Sequence, residues 1–323
     1  MYKNKYFIRI GLAVLLVGVF LALYIVQISR APDPFPVNKI VTIPAGVGVS
    51  GAGDILAQSG VIRSSFAYKV YTVLIHDGEG IQAGQYLFDK PQSVVRVAYR
   101  TAYGMQGLTK IKVTIPEGSS SKDITAIVSG AIPAINKSDL LLSAKAQEGY
   151  LFPDTYFFYQ NTTPAQVIKE MRANFDEQIK SILVTASLFS QKNKVTMKDI
   201  VTMASIVEKE ATSTIDRQII AGVLWKRFVD KYPLQVDPPF FYILGKDSSQ
   251  ITTKDLAIDS PYNLYKNKGL PPTPIDNPGL DALFATVSPT ATKYWYYLSD
   301  KKGNMHYAVT YEQHLVNKAK WVD

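Results

Sequence analysis

The sequence predicts an α+β protein carried behind one N-terminal apolar helix. Three observations predict it. Ile10 to Ser29 reads IGLAVLLVGVFLALYIVQIS, 20 residues without a charge. Val41-Thr42-Ile43-Pro44-Ala45-Gly46 returns as Val113-Thr114-Ile115-Pro116-Glu117-Gly118, and each copy leads from a strand pattern into a helical one. The second half alternates helical runs with proline-broken loops and closes on a hairpin signature.

Taken in order, the first run has the roughly 20 residues a spanning helix needs. Lys3, Lys5 and Arg9 precede it, which by the positive-inside tendency keeps the N-terminus cytoplasmic and exports the body. The run exceeds a usual signal-peptide core and no clear small-x-small site follows, so it reads as an anchor rather than a cleaved leader. APDPFP comes next and reads as a stiff spacer. About 290 residues are left outside the membrane.

The repeat extends beyond its strands. GDILAQSGVI matches KDITAIVSGAI, and GQYLFDKPQSVVRVAY matches DTYFFYQNTTPAQVIKEM, an aromatic strand followed by a turn and an amphipathic helix. A strand–helix–helix–strand unit used twice explains both matches. The first copy runs from about Asn38 to Gly104 and the second starts near Leu108. EGYLFPDTYFF, inside the second, reads as strand-turn-strand.

Phe175 to Lys194, Thr196 to Ala211 and Asp216 to Val229 read as helices, the last with Trp225 and Phe228 inward. PLQVDPPFFYILG breaks the helical pattern, and from Asp247 the chain is loop-like, with Pro261, Pro271, Pro272, Pro274 and Pro278. Asn277-Pro278 reads as N-cap and first position of a helix through Ala285. KYWYYLSDKKGNMHYAV is a hairpin whose turn holds Lys301, Lys302 and Gly303. A final helix begins near Tyr311.

Composition limits the chemistry. The chain has 323 residues, is 47% apolar and carries a net charge of +8, which favours an anionic partner or surface. With export expected, nucleic acid is not that partner. The absence of cysteine excludes disulfides, thiolate metal sites and a Cys nucleophile. His76, His306 and His314 form no metal-binding spacing, so no metal is expected. Gly46, Gly48 and Gly51 spell GxGxxG after a strand, but no acidic residue follows about 20 positions on, so the run reads as a strand-to-helix turn and not a dinucleotide site.

The chemically suggestive stretch is VTMASIVEKEA, Val201 to Ala211. Stepping about 100° per residue puts Ile200, Met203, Ala204, Val207 and Ala211 on one face and Lys209 nearly opposite. Glu208 falls about 80° from Ile200, and Glu210 borders the other flank. Periodicity leaves two readings open: solvated glutamates beside a core stripe, or a carboxyl half-sunk in an apolar wall and held protonated as a general acid requires. Helix geometry does not choose between Glu208 and Glu210.

ASIVEKE, with EGYLFPDTY upstream and SPYNLYKNKGLPP and NPGL downstream, resembles the YceG-like family of endolytic murein transglycosylases. The similarity covers nearly the whole chain, with four motifs in the family's order. It implies a cytoplasmic tail 1–9, a transmembrane helix 10–29, a linker 30–37, a LysM-like βααβ module 38–105 and a mixed α+β lytic transglycosylase domain 106–323. It implies cleavage of the β-1,4 bond between N-acetylmuramic acid and N-acetylglucosamine with closure of a 1,6-anhydro ring, and no cofactor. Glu208 is then the acid/base. Ser205 of the same motif, Glu148, Tyr150, Phe152, Asp154, Tyr156, Gln235, Asp237, Tyr262, Asn263, Lys268 and Asn277 are the implied substrate-binding residues. Their alternative reading is aromatic core and turn chemistry. Partners implied are peptidoglycan glycan strands, the cell membrane as a single-pass anchor, and a peptidoglycan synthase. The chain departs from the family's Gln-Ser-Asp-Pro-Thr, having Gln235-Val236-Asp237-Pro238-Pro239, so contacts through those hydroxyls are lost.

Two other readings compete: a non-catalytic wall-binding scaffold, and an exported polysaccharide hydrolase using Asp237 or Glu148 as its second carboxylate. Tyr68, Tyr71 and Tyr86 are the aromatic residues of the first repeat available to a sugar-binding module.

Overall fold

The strand–helix–helix–strand pattern is built twice in the computed structural model, which describes residues 2–76, 80–246 and 250–322, with side chains from residue 11 onward. Lys3, Lys5 and Arg9, which carry the expected orientation, lie outside the described side chains, and Asp247 lies outside the described residues. The chain divides into two compact units, Met1–Thr109 and Lys110–Asp323.

In the first unit, helix α1 spans Tyr2–Ser29, and its stretch Gly11–Ser29, with mean hydropathy 2.5, is long and apolar enough to cross a membrane. Strand β1 (Lys39–Ile43) pairs antiparallel with β2 (Gly84–Phe88), with Lys39 opposite Phe88 and Ile43 opposite Gly84. Helices α2 (Val49–Gln58) and α3 (Ser65–His76) connect the strands, and α4 (Val94–Ala102) follows. Strand alternation turns Val41, Ile43, Tyr86 and Phe88 inward, where they meet Leu56, Tyr68 and Val97. The buried Tyr68 hydroxyl pairs with Thr101 Oγ1 at 2.7 Å, and the Tyr86 hydroxyl donates to the Gln82 carbonyl at 2.7 Å. These two tyrosines are therefore core residues and present no stacking face to a sugar. The GxGxxG run is the turn from β1 into α2.

The second unit repeats the order. Strand β3 (Lys110–Thr114) pairs antiparallel with β4 (Thr155–Tyr159), with α5 (Ser121–Ala131) and α6 (Lys137–Lys145) between them and α7 (Pro164–Gln178) after. Val113, Ile124, Leu140, Leu151, Phe158, Val167 and Met171 form its core. Then come α8 (Leu183–Asn193), α9 (Met197–Glu210), α10 (Thr214–Val229), α11 (Pro238–Leu244), α12 (Leu280–Val287), the hairpin β5 (Tyr296–Ser299) and β6 (Met305–Ala308), and α13 (Tyr311–Trp321).

Helix α9 organises this half. Thr196 caps it: its Oγ1 accepts from Asp199 N while Asp199 Oδ2 accepts from Thr196 N. Residues 200 to 207 are all buried, so the helix has no solvent face over two turns. Neighbours α8, α10, α11 and α12 enclose it, with Ile220, Leu224, Leu234, Leu264, Leu283 and Val287 among the contacts. Burying each of Ile200, Val201, Met203, Ile206 and Val207 is worth about 1.5–3 kcal/mol.

Four expectations are corrected. EGYLFPDTYFF is not strand-turn-strand: Gly149, at φ +89, and Pro153 prevent an extended run, and the strand starts at Thr155. The helix expected over Phe175 to Lys194 is broken by a 3-10 turn at Ile179–Ile182, whose two isoleucines turn into the core. PLQVDPPFFYILG contains α11, because Pro238 and Pro239 sit in its first turn, where no N–H is needed. Asn277 is not the cap of α12; Gly279 occupies that position, and the Asn277 side chain is used elsewhere.

Candidate active site

Glu208 lies in the last turn of α9 with its side chain only 5% exposed. One carboxyl oxygen, Oε1, accepts from Arg217 Nη2 at 2.6 Å, and Oε2 accepts from the Gly279 amide at 2.9 Å. That amide belongs to the N-terminus of α12, where unpaired N–H groups favour an anion. Arg217, on α10, is committed on all sides: Nε donates to the Ala211 carbonyl at 2.9 Å and Nη1 to Asp281 at 2.7 Å. Burial pushes the Glu208 carboxyl above its ordinary value, against the downward pull of the Gly279 N–H and Arg217. The group can thus hold a proton and has two donors ready for its carboxylate.

The turn from β3 into α5 covers this carboxyl. A Cβ at Gly118 would stand 3.3 Å from Glu208 Cγ and 2.9 Å from Lys209 Nζ. The exposed Glu117 packs on Gly279, with its Oε1 2.0 Å from where a Cβ would be, so a larger residue there would push the Glu117 side chain aside.

Beside it is a buried polar knot. Glu148 accepts from Ser121 N at 2.9 Å, Ser121 Oγ at 2.5 Å, Asn277 Nδ2 at 3.0 Å and the Tyr242 hydroxyl at 3.3 Å. Burial raises this carboxyl and the Ser121 and Tyr242 bonds oppose it. Asn277 Oδ1 accepts from Gly149 N and Leu151 N at 2.9 and 2.8 Å, and its Nδ2 also donates to the Ser119 carbonyl at 2.9 Å. One amide therefore joins three loops.

Other expected residues lie elsewhere. Tyr150 packs on Phe175 and under Arg172, Phe152 is core, Asp154 accepts from Asn174 Nδ2, and the Tyr156 hydroxyl donates to the Phe152 carbonyl. These contacts are with α7 and the loop itself, because the loss of strand geometry at Gly149 and Pro153 removes the common face that alternation would give. Ser205 is buried beneath the site, donating to the Thr202 carbonyl and accepting from Ile275 N. Asn263 is fully buried, with its amide spent on the Leu256 and Ile258 carbonyls and the Tyr265 amide. Asp237 accepts from the Tyr265 hydroxyl at 2.6 Å, and the Tyr262 hydroxyl pairs with Thr273 Oγ1. Gln235 and Lys268 are exposed. Val236 and Pro239 are buried, so the family's missing hydroxyls are replaced here by core packing.

Glu210 is not a surface charge. It is partly buried, and burial pushes its carboxyl up to about 7, with the Tyr297 hydroxyl beside it and Asp237 nearby. Sequence reasoning missed Arg217, Glu117, Asp276, Gly279 and Tyr242. A signal existed for Glu117, which stands where the first repeat has Ala45; Arg217, between Asp216 and Gln218 in the polar first turns of α10, gave none.

Fold and site together define an α+β protein with a carboxyl shielded from water and held between a guanidinium and a backbone amide. The sequence model of the YceG-like family matches residues 41–320, and the chain belongs to that family. An endolytic murein transglycosylase of Bacillus subtilis is 34% identical over 309 residues, covering 87% of this chain and 84% of the relative. An endolytic murein transglycosylase of Streptococcus pneumoniae is 31% identical, covering 97% of this chain and 64% of the relative, so this chain spans less than two thirds of that protein. The crystal structure of a YceG-like protein from Listeria monocytogenes matches with a TM-score of 0.57 at 31% identity, over 86% of this chain and 98% of that one.

Proposed function

We propose that this chain is a membrane-anchored endolytic transglycosylase of peptidoglycan, with Glu208 as its acid/base. The observation that carries the reading is a carboxyl shielded from water yet held between a guanidinium and a helix N-terminus, in a chain whose relatives bear that activity in their names. Protonated Glu208 gives its proton to the glycosidic oxygen as the bond to C1 of the muramic sugar breaks. Its carboxylate, stabilised by Arg217 and the Gly279 N–H, then takes the proton of the O6 hydroxyl as that oxygen closes on C1. The proton lost is regained and no water is consumed, so one group performs both steps where ordinary glycosidases need two. Shielding supports ring closure over hydrolysis, because water has little access to the carboxyl.

Of the expected binding residues, Gln235, Tyr262 and Lys268 keep exposed or partly exposed side chains and are read as direct glycan contacts, with Asp237 beside them. Glu148, Asn277 and Ser205 are read as positioning residues. Helix α1 anchors the chain with its N-terminus cytoplasmic and the rest exported, a reading supported by the length and hydropathy of Gly11–Ser29. The β1–α2–α3–β2 order supports a LysM-like module, whose glycan contacts would have to come from residues other than Tyr68 and Tyr86. A peptidoglycan synthase is the protein partner expected of an enzyme that terminates growing strands.

Mass spectrometry of purified peptidoglycan digested by wild type and by Glu208→Gln tests the reading. Internal cuts bearing 1,6-anhydromuramic ends, reduced by about 10²–10⁴-fold in the variant, are expected. Reducing ends would make the enzyme a hydrolase and Glu117 its second carboxylate, since Glu148 is fully bonded and Asp237 is paired with Tyr265. Binding without any product would make the chain a scaffold.

A further inference from the structure

The first unit carries an apolar surface that its own core does not use. Helix α3 reads SFAYKVYTVLIH and turns Ala67, Tyr68 and Thr72 into the core. A helix with one face buried ordinarily shows polar side chains on the other. Here Phe66, Val70, Val73 and Leu74, spaced i, i+4, i+7 and i+8, stand on the outward face, with Phe66 74% and Leu74 72% exposed. Helix α4 packs alongside, and Tyr99 within it and Tyr103 just beyond it are exposed as well, their rings 4.7 Å apart. Neither helix contains an acidic residue, while Lys69 and Arg96 are exposed on them. This surface lies where α1 ends. The apolar run of α1 closes at Ser29, whose Oγ pairs with the Tyr71 hydroxyl of α3 at 3.1 Å. Ile28 and Phe35, on either side of that contact, pack on the core of the unit, and Arg63 Nε donates to the Ala31 carbonyl at 3.0 Å. The segment after α1 is therefore laid against the unit instead of holding it away. On the helical wheel of α3, Tyr71 stands about 60° from Leu74 and about 100° from Val70, so the outward face borders the side that meets α1.

We propose that the membrane surface covers this face: α3 and α4 rest on the leaflet at which α1 ends, with Phe66, Val70, Val73 and Leu74 in the boundary between headgroups and acyl chains. The inference rests on the reading of α1 as a membrane anchor given above. If Gly11–Ser29 spans the bilayer, Ser29 stands at its interface, and the Tyr71 contact brings α3 to the same level. A helix lying in that plane sinks its apolar face about 5–10 Å into the headgroup and acyl boundary. The neighbouring side chains suit the same place. Tyrosine, with an apolar ring and a polar tip, is enriched at headgroup level. Lys69 and Arg96 extend their charges toward lipid phosphates from apolar stems, and no carboxylate on either helix opposes them. A glycan strand is a poorer fit, because sugar hydroxyls need hydrogen-bonding groups beside the aromatic ones, and the four outward side chains of α3 have none. The first unit is then a footing that seats the chain on the membrane.

The test uses the full chain reconstituted in vesicles of phosphatidylethanolamine and phosphatidylglycerol. The sequence has no cysteine, so a single introduced cysteine carries a nitroxide label at a chosen site. Val70→Cys and Leu74→Cys report the face, Phe20→Cys reports α1, and Ala45→Cys, in the exposed turn at the far end of β1 from the linker, is the water-facing reference. Accessibility is read with oxygen, which concentrates in lipid, and with a nickel chelate, which stays in water. Expected at Val70 and Leu74 is a nickel accessibility several-fold below that at Ala45, with oxygen accessibility raised. Nickel access equal to that at Ala45 would overturn the proposal. Phe66→Asp with Val70→Asp should reopen the Leu74→Cys label to nickel at an unchanged circular dichroism spectrum, and retained protection would mean that the apolar face does not seat the unit. Dipolar broadening between labels on neighbouring copies would place a second copy on the face, and protection that needs added peptidoglycan would place glycan there; either result overturns the proposal. A Phe20 label open to nickel would defeat the anchor reading and this proposal with it, whereas a protected Phe20 beside open Val70 and Leu74 defeats the seating of α3 alone.

Discussion

Arg217 is the residue on which the Glu208 carboxyl depends. Its side chain is 8% exposed and its guanidinium joins α9, α10 and α12 through Glu208, the Ala211 carbonyl and Asp281. Breaking one partner of a buried pair costs more than the pair contributes, because the remaining charge loses both its partner and its water. Arg217→Ala is therefore expected to lower stability by about 3–5 kcal/mol, read as a reduced urea midpoint at unchanged m. Arg217→Lys should recover part of that loss and little of the activity, since an ammonium cannot make three directed contacts from one plane. A variant as stable as wild type would remove Arg217 from this account. Periodicity located both glutamates of VTMASIVEKEA on helix edges but did not distinguish them, because the distinction is made by groups far along the chain. Arg217 and Gly279 reach Glu208, while Tyr297 and Asp237 lie near Glu210. An edge position on a helical wheel becomes buried when neighbouring helices close over it, and the wheel alone contains no information about those neighbours.

At the scale of elements, the two strand–helix–helix–strand copies share a backbone and differ in chemistry. Where the first carries Ala45, Val47 and Val49, the second carries Glu117, Ser119 and Ser121, at the turn that covers Glu208 and binds Glu148. Both copies were legible from the repeated VTIP strands and the matching helical runs, as were α9, α10, the hairpin and α13. The loops between α11 and α12 were not, because their order comes from single side chains bonding distant backbone. Asn277 is the clearest instance: NP before an apolar run has the form of a helix start, yet its amide bonds Gly149, Leu151, Ser119 and Glu148. Asn277→Ala leaves the Gly149 and Leu151 amides without their acceptor and takes one donor each from the Ser119 carbonyl and Glu148, which keep their other bonds. At about 1–3 kcal/mol for each buried group left unsatisfied, the two amides put the expected loss at about 2 kcal/mol or more by chemical denaturation, with activity falling in parallel. A loss below about 1 kcal/mol would mean that the three loops are held by their other contacts.

At the scale of the molecule, the units differ in how they store protons. In the first unit the shifted groups among the described residues are Tyr68, Tyr86, raised to about 12, and Arg100, none of which titrates between pH 5 and 8. In the second unit Glu148, Glu208, Glu210 and Asp276 are all held above their ordinary values, in each case first by burial. A raised carboxyl binds a proton in the folded state that the unfolded chain has already released, so folding stability falls as pH rises through the interval between the two values. For Glu210 that interval runs from 4.5 to about 7. His314 works in the opposite sense: its value is lowered, chiefly by burial, so its contribution is lost as pH falls toward and below the ordinary 6.5. Asp255, depressed to about 2 by Lys246 and Thr252, loses its contribution only in acid, outside this window. Four carboxyls against one imidazole fix the sign. Scanning calorimetry of the full chain should show the transition of the Lys110–Asp323 unit falling by several degrees between pH 5 and pH 8, while the Met1–Thr109 unit stays level. The fall should shrink in Asp276→Asn, which removes one of the four proton-binding groups. A transition that holds steady or rises over that range would mean that the acid cluster is ionised in the folded protein, and Glu208 would then lack the proton its chemistry requires.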